Sequence, residues 1–396
     1  MNSDDPIVIT SAMRTPLGGF QGALSSLTAS ELGAVAIKAT LEKSKLDADA
    51  VDEVIMGCVL PAGQGQAPAR QAALGAGLPL GTNCTTVNKM CGSGMKAAMF
   101  AHDLLVAGSA TVAIAGGMES MTNAPYLLPK SRGGMRMGHG QVLDHMFLDG
   151  LEDAYDKGKL MGCFAENTAT RYKFSREAQD EFALRSLARA KAAIDNGDFK
   201  NEVAPVTVTS RKGDTVVEHD EQPHNAKPEK IPTLRAAFAK DGTVTAANAS
   251  SISDGAAALI MMRKSECKAR GLQPLAMVLG HATHAHEPSW FTTAPVDAMR
   301  KLFEKLNYTQ NDFDLYEVNE AFAVVTMAAM HELELPVDKV NIHGGACAIG
   351  HPIGASGARI LATLLHALKN QGKKRGMASL CIGGGEATAM AIEIIE

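Results

Sequence analysis

Hydrophobic and polar positions along the chain follow two periods, one typical of strands and the other of helices. Short runs of apolar and β-branched residues at 6–10 and 53–59 predict buried strands. Apolar residues recur with helical spacing over 29–43 and 68–75, which predicts helices. Strands that alternate with helices favour an α/β fold, in which helices cover both faces of a parallel or mixed sheet.

Residues with capping preferences mark the starts of these two helices. Thr28 precedes the first helix and Glu31 follows three residues later, which is the spacing of a capping box. Pro68 occupies the first position of the second helix, where its missing N–H leaves no hydrogen bond unmade. The local chemistry therefore supports the helical periodicity.

The pattern around residue 88 returns around residue 341, which indicates a degenerate internal repeat. In each copy a Val-Asn pair leads through a turn with a Ser-Gly step into a helix, a strand and a glycine run. The helix, strand and glycine run lie at 95–106, 111–115 and 116–117, and again at 358–369, 377–382 and 383–385. The same order in both copies favours two related halves.

Residues 121–248 differ from both halves in composition and in the elements they predict, and they are interpreted as an insertion. The segment 211–230 is irregular and polar, whereas 175–194 has a clear helical pattern. Ser175 is a suitable N-cap of that helix, and Gly197 lies just past its end. The predicted domains are an N-terminal half at 1–120 and 249–272, an inserted loop domain at 121–248 and a C-terminal half at 273–396.

Composition and charge exclude several classes of protein. The chain has 396 residues, of which 46% are hydrophobic and 20% charged, so it can bury a sizeable core. Its net charge of -5 offers no general attraction to nucleic acid or to an anionic membrane. The acidic start at 1–6 lacks the basic segment of a secretory signal, and no apolar stretch reaches the ~18 residues that span a bilayer. We therefore expect a soluble cytoplasmic protein.

The cysteines and histidines do not indicate a metal site. The seven cysteines are scattered and never form a C-x-x-C pair, which argues against a disulfide framework or a structural zinc site. The segment HATHAHE at 281–287 holds three histidines and a carboxylate. No distant ligand set stands out, so a polar strand edge is the better interpretation, and we predict no metal.

Cys91 is a candidate nucleophile. It lies where a predicted strand at 84–87 gives way through a Gly-Ser-Gly turn to the helix at 95–106. The positive end of a helix dipole and nearby backbone N–H groups stabilise a thiolate, so we expect a lowered pKa at Cys91. The alternative is a buried, inert cysteine.

Three further residues could complete a site. His351 lies among glycines at the corresponding turn of the second half, where a neutral ring could deprotonate a thiol or merely brace the turn. Cys381 ends a predicted strand and is either a second acid/base or a core residue. Asn319 follows the strand at 314–318 and could hold a water or an oxyanion, or cap the helical run at 321–330.

Four blocks of the sequence resemble the active-site blocks of the thiolase family. They are NKMCGSGMK at 88–96, NEAF at 319–322, GHPIGASG at 350–357 and CIGGG at 381–385. They occur in the family's order, and the resemblance covers nearly the whole chain and is closest to the acetyl-coenzyme A acetyltransferase branch. Four ordered blocks are far more specific than one glycine motif. The resemblance implies a five-layered α-β-α-β-α fold of two similar halves with an inserted loop domain.

The resemblance also implies a role for each reactive residue. Cys91 would be acylated, His351 would activate it, and Cys381 would act as acid and base toward the substrate α-carbon and the leaving thiol. Asn319 would hold a water that forms one oxyanion hole with His351. The backbone N–H groups of Cys91 and Gly383 would form the other, and one lost oxyanion donor typically costs ~100- to 1000-fold in rate.

The family binds coenzyme A largely through the inserted region and the residues just after it. The matching positions are Leu151, Met161, Leu234, Phe238, Ala246, Ala249, Ser250, Ala321 and Phe322. Most are apolar, as suits a channel for pantetheine. Leu160, His343 and Phe291 depart from the family pattern, and Phe291 bears on which acyl chain is preferred.

The implied reaction is the reversible Claisen condensation of two acetyl-CoA to acetoacetyl-CoA and CoA through an acyl-cysteine. It uses no cofactor, because the coenzyme A thioesters are substrates, and it belongs to fatty acid metabolism. The alternative within the family is a 3-ketoacyl-CoA thiolase for longer or branched chains. A decarboxylating ketoacyl synthase and a non-catalytic acyl carrier are further alternatives. We expect a homo-oligomer, a tetramer with contacts in 120–140, and no nucleic-acid or membrane partner.

Overall fold

The computed structural model describes residues 5–395, so residues 1–4 of the acidic start and Glu396 lie outside it. Strands in this range form one large sheet and two small hairpins. In chain order they are β1 (Ile7–Arg14), β2 (Gly18–Gly19), β3 (Glu53–Gly57), β4 (Asn83–Val87), β5 (Val112–Ser120), β6 (Tyr126–Leu127), β7 (Leu143–Asp144), β8 (Val206–Ser210), β9 (Gly213–Val217), β10 (Ser253–Arg263), β11 (Ala276–Ala285), β12 (Leu315–Val318), β13 (Arg375–Ile382) and β14 (Glu386–Ile394).

Helices alternate with these strands in both halves, as the hydrophobic periodicity predicted. They are α1 (Ala29–Ser44), α2 (Pro68–Gly75), α3 (Ser93–Ala107), α4 (Met161–Tyr172), α5 (Arg176–Asn196), α6 (Glu221–Asn225), α7 (Lys264–Ala269), α8 (Ala294–Leu306), α9 (Ala323–Glu332), α10 (Ala346–Ile349) and α11 (Ser356–Asn370). Short 3-10 turns lie at Ala48–Ala50, Ser131–Gly133, Pro228–Thr233, Pro288–Thr293 and Gln310–Asp312, and a π turn at Phe147–Leu151. In the part of the chain that is described, no helix has the length and apolar composition needed to cross a membrane.

The order of strands in the large sheet is nearly symmetric about its middle, except that β4 has no counterpart at the other edge. It runs β12-β13-β14-β11-β1-β10-β5-β3-β4, with β2 paired to β10 off this path. The pairs β3–β5 and β12–β13 are parallel, and β5–β10 and β13–β14 are antiparallel. The two half-sheets pair with each other where Val8 faces Met277 and Ile9 faces Ala276. The predicted internal repeat is therefore present as two similar half-sheets that meet at a narrow seam.

Apolar side chains fill three cores between five layers. Helices α3 and α11 lie between the two half-sheets, where Met95 and Leu361 are fully buried. Helices α1 and α2 cover the outer face of the first half-sheet through residues such as Leu32. Helices α8 and α9 cover the second through residues such as Leu302. This confirms the predicted α-β-α-β-α arrangement.

One predicted strand end is wrong, and glycine explains the error. The glycine pair at 116–117 predicted the end of a strand, but β5 continues through it to Ser120. A Cβ at Gly117 would lie 2.1 Å from the carbonyl oxygen of Gly354, in the other half. Here glycine permits a close backbone approach within a strand, and it does not form a turn.

The insertion is tied to both halves by buried polar groups. Arg14 of β1 contacts Glu202 through Nε at 2.6 Å and Asp220 through a guanidinium nitrogen at 2.7 Å. Ser186 of α5 donates to Glu320 of the second half at 2.7 Å. Because these groups are buried, loss of one partner would leave the other without compensation. The insertion is thus held in a fixed position over the sheet.

Candidate active site

The starts of α3 and α11 meet backbone to backbone through two glycines. A Cβ at Gly94 would lie 2.7 Å from the nitrogen of Ala358, and one at Gly357 would lie 2.3 Å from the nitrogen of Met95. No side chain larger than hydrogen fits at either position without a shift of backbone. The turns just before these helices are therefore neighbours, as the repeat predicted.

Cys91 lies in the first of these turns and is half-buried. Ser93 fixes the turn, because its Oγ accepts from the N–H of Lys89 at 2.8 Å and donates to the carbonyl of Met90 at 2.6 Å. Burial raises the pKa of the Cys91 thiol to about 11, although the N–H groups of Gly383 and of Cys91 itself oppose this rise. The pKa shift at Cys91 is therefore opposite in direction to the one expected from the helix start.

His351 lies in the second turn and is buried. Its Nδ1 is 2.6 Å from Oγ of Ser356, and that hydroxyl donates to the carbonyl of Pro352 at 2.9 Å. The hydroxyl therefore accepts from Nδ1–H, which leaves a lone pair on Nε2. Burial, with help from the positive charge of Arg359, lowers the pKa of His351 to about 3. The ring is neutral near pH 7 and can accept a proton at Nε2.

Asn319 faces His351 from the end of β12. Its Nδ2 lies 3.4 Å from Nε2 of His351, and its Oδ1 accepts from Arg359 at 3.3 Å. Arg359 also pairs with Glu317 at 3.4 Å, and both side chains are almost fully buried. The guanidinium thus fixes which end of the amide points at His351. Asn319 does not cap the next helix, since α9 begins at Ala323 with Phe322 as its N-cap.

Cys381 lies next to Cys91 but is completely buried. It is the last residue but one of β13 and pairs with Ala387 of β14. Burial, and then the neighbouring Cys91, raises the pKa of Cys381 well above its usual range. The turn that follows requires glycine at 384 and 385, where φ is 93° and 88°. The structure thus brings together Cys91, His351, Asn319, Cys381 and Gly383.

An apolar cavity of about 370 Å³ opens from these groups and is lined by Cys91, His351 and Gly383. Eight of the nine residues predicted to contact coenzyme A line it: Leu151, Met161, Phe238, Ala246, Ala249, Ser250, Ala321 and Phe322. Leu234 is not among its walls and lies on an adjacent cavity of about 330 Å³, which shares Ala246. Its predicted contact with coenzyme A therefore stays a prediction that concerns the adjacent cavity.

The three departures from the family pattern have different positions. Leu160 and Phe291 line the cavity, so both can influence what it accepts. His343 lies elsewhere, buried with its ring 5.7 Å from that of Phe199. Burial lowers its pKa, so it is a neutral packing residue.

Residues that hold the site together were missed by the sequence analysis. Glu119 of β5 is buried and accepts from the N–H groups of Val59, Leu60 and Gly354 at 2.8–3.1 Å. Burial raises the pKa of Glu119 to about 7. The sequence did contain a signal for Glu119, since it is a charged residue at the end of an otherwise apolar strand. Its acceptor role fixes the loop after His351 to the first half.

Comparisons with known proteins agree with this arrangement. The family model for the N-terminal domain of thiolase matches residues 7–265, and that for the C-terminal domain matches 272–394. The acetyl-CoA acetyltransferases of Chromobacterium violaceum and Escherichia coli (strain K12) are 49% and 50% identical, over 98% of this chain and 99% and 98% of theirs. The mitochondrial acetyl-CoA acetyltransferase of Bos taurus is 49% identical over 98% of this chain and 91% of its own.

A solved structure gives the same result at the level of the fold. The crystal structure of Acat5 thiolase from Ascaris suum in complex with coenzyme A aligns with a TM-score of 0.93 and 41% identity. The alignment covers 98% of this chain and 100% of that one. These matches define an acyltransferase. The chain belongs to the thiolase family.

Proposed function

We propose that this protein is an acetyl-CoA C-acetyltransferase that condenses two acetyl-CoA to acetoacetyl-CoA and CoA, reversibly and through an acyl-cysteine. The observation that supports it most is the placement of Cys91 and His351 on the wall of one apolar cavity, with the thiol of Cys381 next to Cys91. One thiol can carry the acyl group while the other handles protons. The names of the relatives favour acetyl-CoA over longer substrates.

In the first half-reaction, Cys91 attacks the thioester carbonyl while Nε2 of His351 takes its proton. Both groups are neutral beforehand, so charge develops only as the carbon–sulfur bond forms. The N–H groups of Cys91 and Gly383, which already face the Cys91 sulfur, stabilise the oxyanion. The coenzyme A thiolate leaves and takes the proton of Cys381. The products are acetyl-Cys91, the protonated His351 ring and a Cys381 thiolate.

In the second half-reaction, the Cys381 thiolate removes an α-proton from the next acetyl-CoA. Its raised pKa makes that thiolate a strong base. The enolate oxygen is stabilised by the His351 ring and by a water held on Asn319. The enolate carbon attacks acetyl-Cys91, which expels the Cys91 thiolate. The His351 proton returns to Cys91, so every proton is restored.

The residues that line the two adjacent cavities suit the apolar arm and the phosphate end of coenzyme A. The first cavity is apolar, as the pantetheine arm requires. The adjacent cavity carries Lys227 and Lys230, which can face phosphate groups. The thioesters and the side chains supply all the groups that the reaction uses, so we propose no cofactor.

We also propose a cytoplasmic homotetramer that serves fatty acid metabolism. All seven cysteines are free thiols in the structure, which suits a reducing compartment. Within the segment 120–140, the side chains of Tyr126, Leu128 and Met137 are 68%, 53% and 96% exposed. Apolar side chains clustered on one loop are typical of an interface between subunits.

The test is cleavage of acetoacetyl-CoA by added coenzyme A, with 3-ketohexanoyl-CoA as the longer substrate. We expect two acetyl-CoA per acetoacetyl-CoA consumed and a clear preference for the shorter substrate. Preference for the longer one would indicate a 3-ketoacyl-CoA thiolase. Carbon dioxide release from malonyl-CoA would instead indicate a ketoacyl synthase, and binding without turnover would indicate a carrier.

A further inference from the structure

Two histidines at the end of β11 and an aspartate of α8 converge on the outer face of the second half, where His284 lies in the strand and His286 just past its last residue. His284 and His286 are two residues apart along an extended chain, so their side chains lie on the same face. Asp297 of α8 packs over that face, with Oδ2 3.4 Å from Nε2 of His284. One ring nitrogen of each histidine and one oxygen of Asp297 lie within 4.8 Å of one another.

The ring of His284 lacks the partners that a buried polar group normally has. Within residues 5–395, neither its Nδ1 nor its Nε2 makes a hydrogen bond, although both atoms are shielded from solvent. Buried polar atoms are nearly always satisfied, so one of these nitrogens is available to a ligand.

The other two residues have the supporting contacts of metal ligands. His286 has Nε2 2.8 Å from the carbonyl of Trp290, so Nε2–H donates there and Nδ1 keeps its lone pair. Oδ1 of Asp297 accepts from Arg300 at 3.3 Å, and its other oxygen, Oδ2, is the one that lies near His284. An N–H of a ligating histidine bound to a carbonyl is the usual arrangement around protein-bound zinc.

We propose that His284, His286 and Asp297 bind one divalent transition-metal ion of the zinc class. Two imidazole nitrogens and a carboxylate oxygen are a suitable set for such an ion, and leave a fourth position for water. His286 and Asp297 line a cavity of about 340 Å³, which provides a route of entry. None of the three residues lines the cavity at Cys91, so this site is separate from the catalytic one.

This proposal differs from the sequence-based prediction of no metal. The segment HATHAHE was set aside because no distant ligand stood out, and the structure supplies Asp297 as that ligand. A second cluster, of His102, Asp103 and His281, is a weaker candidate. There Nδ1 of His102 and Nε2 of His281 each lie 3.0 Å from the same oxygen of Asp103, so these two nitrogens are satisfied. It provides a control on the opposite face of the same strand.

The experiment is a titration of the full chain, freed of metal by chelation, with Co²⁺ followed by absorption and with Zn²⁺ followed by calorimetry. We expect one equivalent to bind, with the visible bands of tetrahedral cobalt and no thiolate-to-cobalt charge-transfer band. His284→Ala and the near-isosteric Asp297→Asn should each weaken binding by about 100-fold, since even outer contacts of metal sites contribute about 10- to 100-fold. His281→Ala should bind as the wild type does.

Three results would overturn the proposal: no binding by the wild-type chain, a thiolate band, or loss of binding in His281→Ala with retention in Asp297→Asn. Circular dichroism establishes that each variant is folded. If His284→Ala does not fold, Asp297→Asn alone decides, because it keeps the size of the side chain. The readout is binding and not turnover, so its failure is distinct from a failure of the proposed acetyltransferase activity.

Discussion

Cys91 and His351 line the same cavity as neutral groups, because desolvation has a larger effect on their pKa values than the helix dipole does. A helix start stabilises an anion by ~0.3 to 2 kcal/mol, which corresponds to roughly 0.2 to 1.5 pKa units. Burial of an ionisable group can raise or lower its pKa by ~3 to 5 units. Desolvation therefore outweighs the helix dipole, and the proton stays on the Cys91 sulfur until the substrate thioester is attacked.

The first prediction is the pH dependence of Cys91 alkylation. A thiol whose pKa is raised to about 11 keeps its proton through neutral pH, so its thiolate fraction grows ~tenfold for each unit of pH. The iodoacetamide rate at Cys91, followed by peptide mass spectrometry, should rise without a plateau between about pH 7 and 9.5. Cys91→Ala identifies the background from the other cysteines. A plateau below about pH 8 would show that the thiolate is stabilised after all.

The second prediction separates the roles of the two thiols. Cys381→Ser should still allow acetylation of Cys91 but lose most condensation and cleavage, because a hydroxyl is several pKa units too weakly acidic to exchange protons as a thiol does. Solvent deuterium should enter the methyl group of acetyl-CoA with the wild type and hardly at all with the variant. Exchange at the wild-type rate would move the role of base to His351.

At the scale of elements, the sequence predicted helix bounds and caps correctly, because these depend on residues close together in the chain. Helix α2 has the predicted bounds, and α1 has the predicted capping box between Thr28 and Glu31. Helix α5 begins after Ser175, whose side chain accepts from the N–H of Ala178. Cys91 and His351 were found because reactive residues in glycine turns have a recognisable local context.

The remainder of the site depends on contacts between distant residues. Arg359 orients Asn319 from a different helix, and Glu119 binds a loop 235 residues further along the chain. No local spacing encodes such a partner. The same holds for Asp297, whose approach to His284 requires α8 to be packed on β11. The sequence therefore predicted the reactive groups and not the groups that position them.

The third prediction concerns the glycine contact between α3 and α11. In Gly357→Ala the new methyl group would lie 2.3 Å from the nitrogen of Met95, so the helices must separate. We expect a loss of ~1 to 3 kcal/mol in the free energy of unfolding, measured with urea, and a lower kcat because the turns move apart. Gly81→Ala, where a Cβ meets nothing within 4 Å, is the control and should change stability by less than ~0.5 kcal/mol. Equal stability of the two variants would contradict this packing.

At the scale of the whole molecule, the halves and the insertion supply different parts of the site. The reactive groups come from the two halves, whereas Leu151, Met161 and Phe238 on the cavity wall come from the insertion. The same insertion presents the exposed apolar loop that we assign to subunit contacts. Part of the proposed substrate wall and the proposed assembly contacts therefore share one segment, whereas the candidate reactive groups lie in the other two.

The fourth prediction tests that assembly. Met137 is 96% exposed, so replacing it by Asp leaves the fold of the chain intact but places a charge in the proposed interface. Light scattering after size exclusion should give a mass of four chains for the wild type and a smaller assembly for Met137→Asp. Specific activity per chain should be retained, since Met137 does not line the catalytic cavity. A monomeric wild type would refute the tetramer.

The near symmetry of the two half-sheets has a consequence for how the site can be varied. In a symmetric dimer of one half, every substitution would occur at both equivalent turns. Here both turns lie in one polypeptide, and one carries Cys91 where the other carries His351. Each turn can therefore be altered without changing the other.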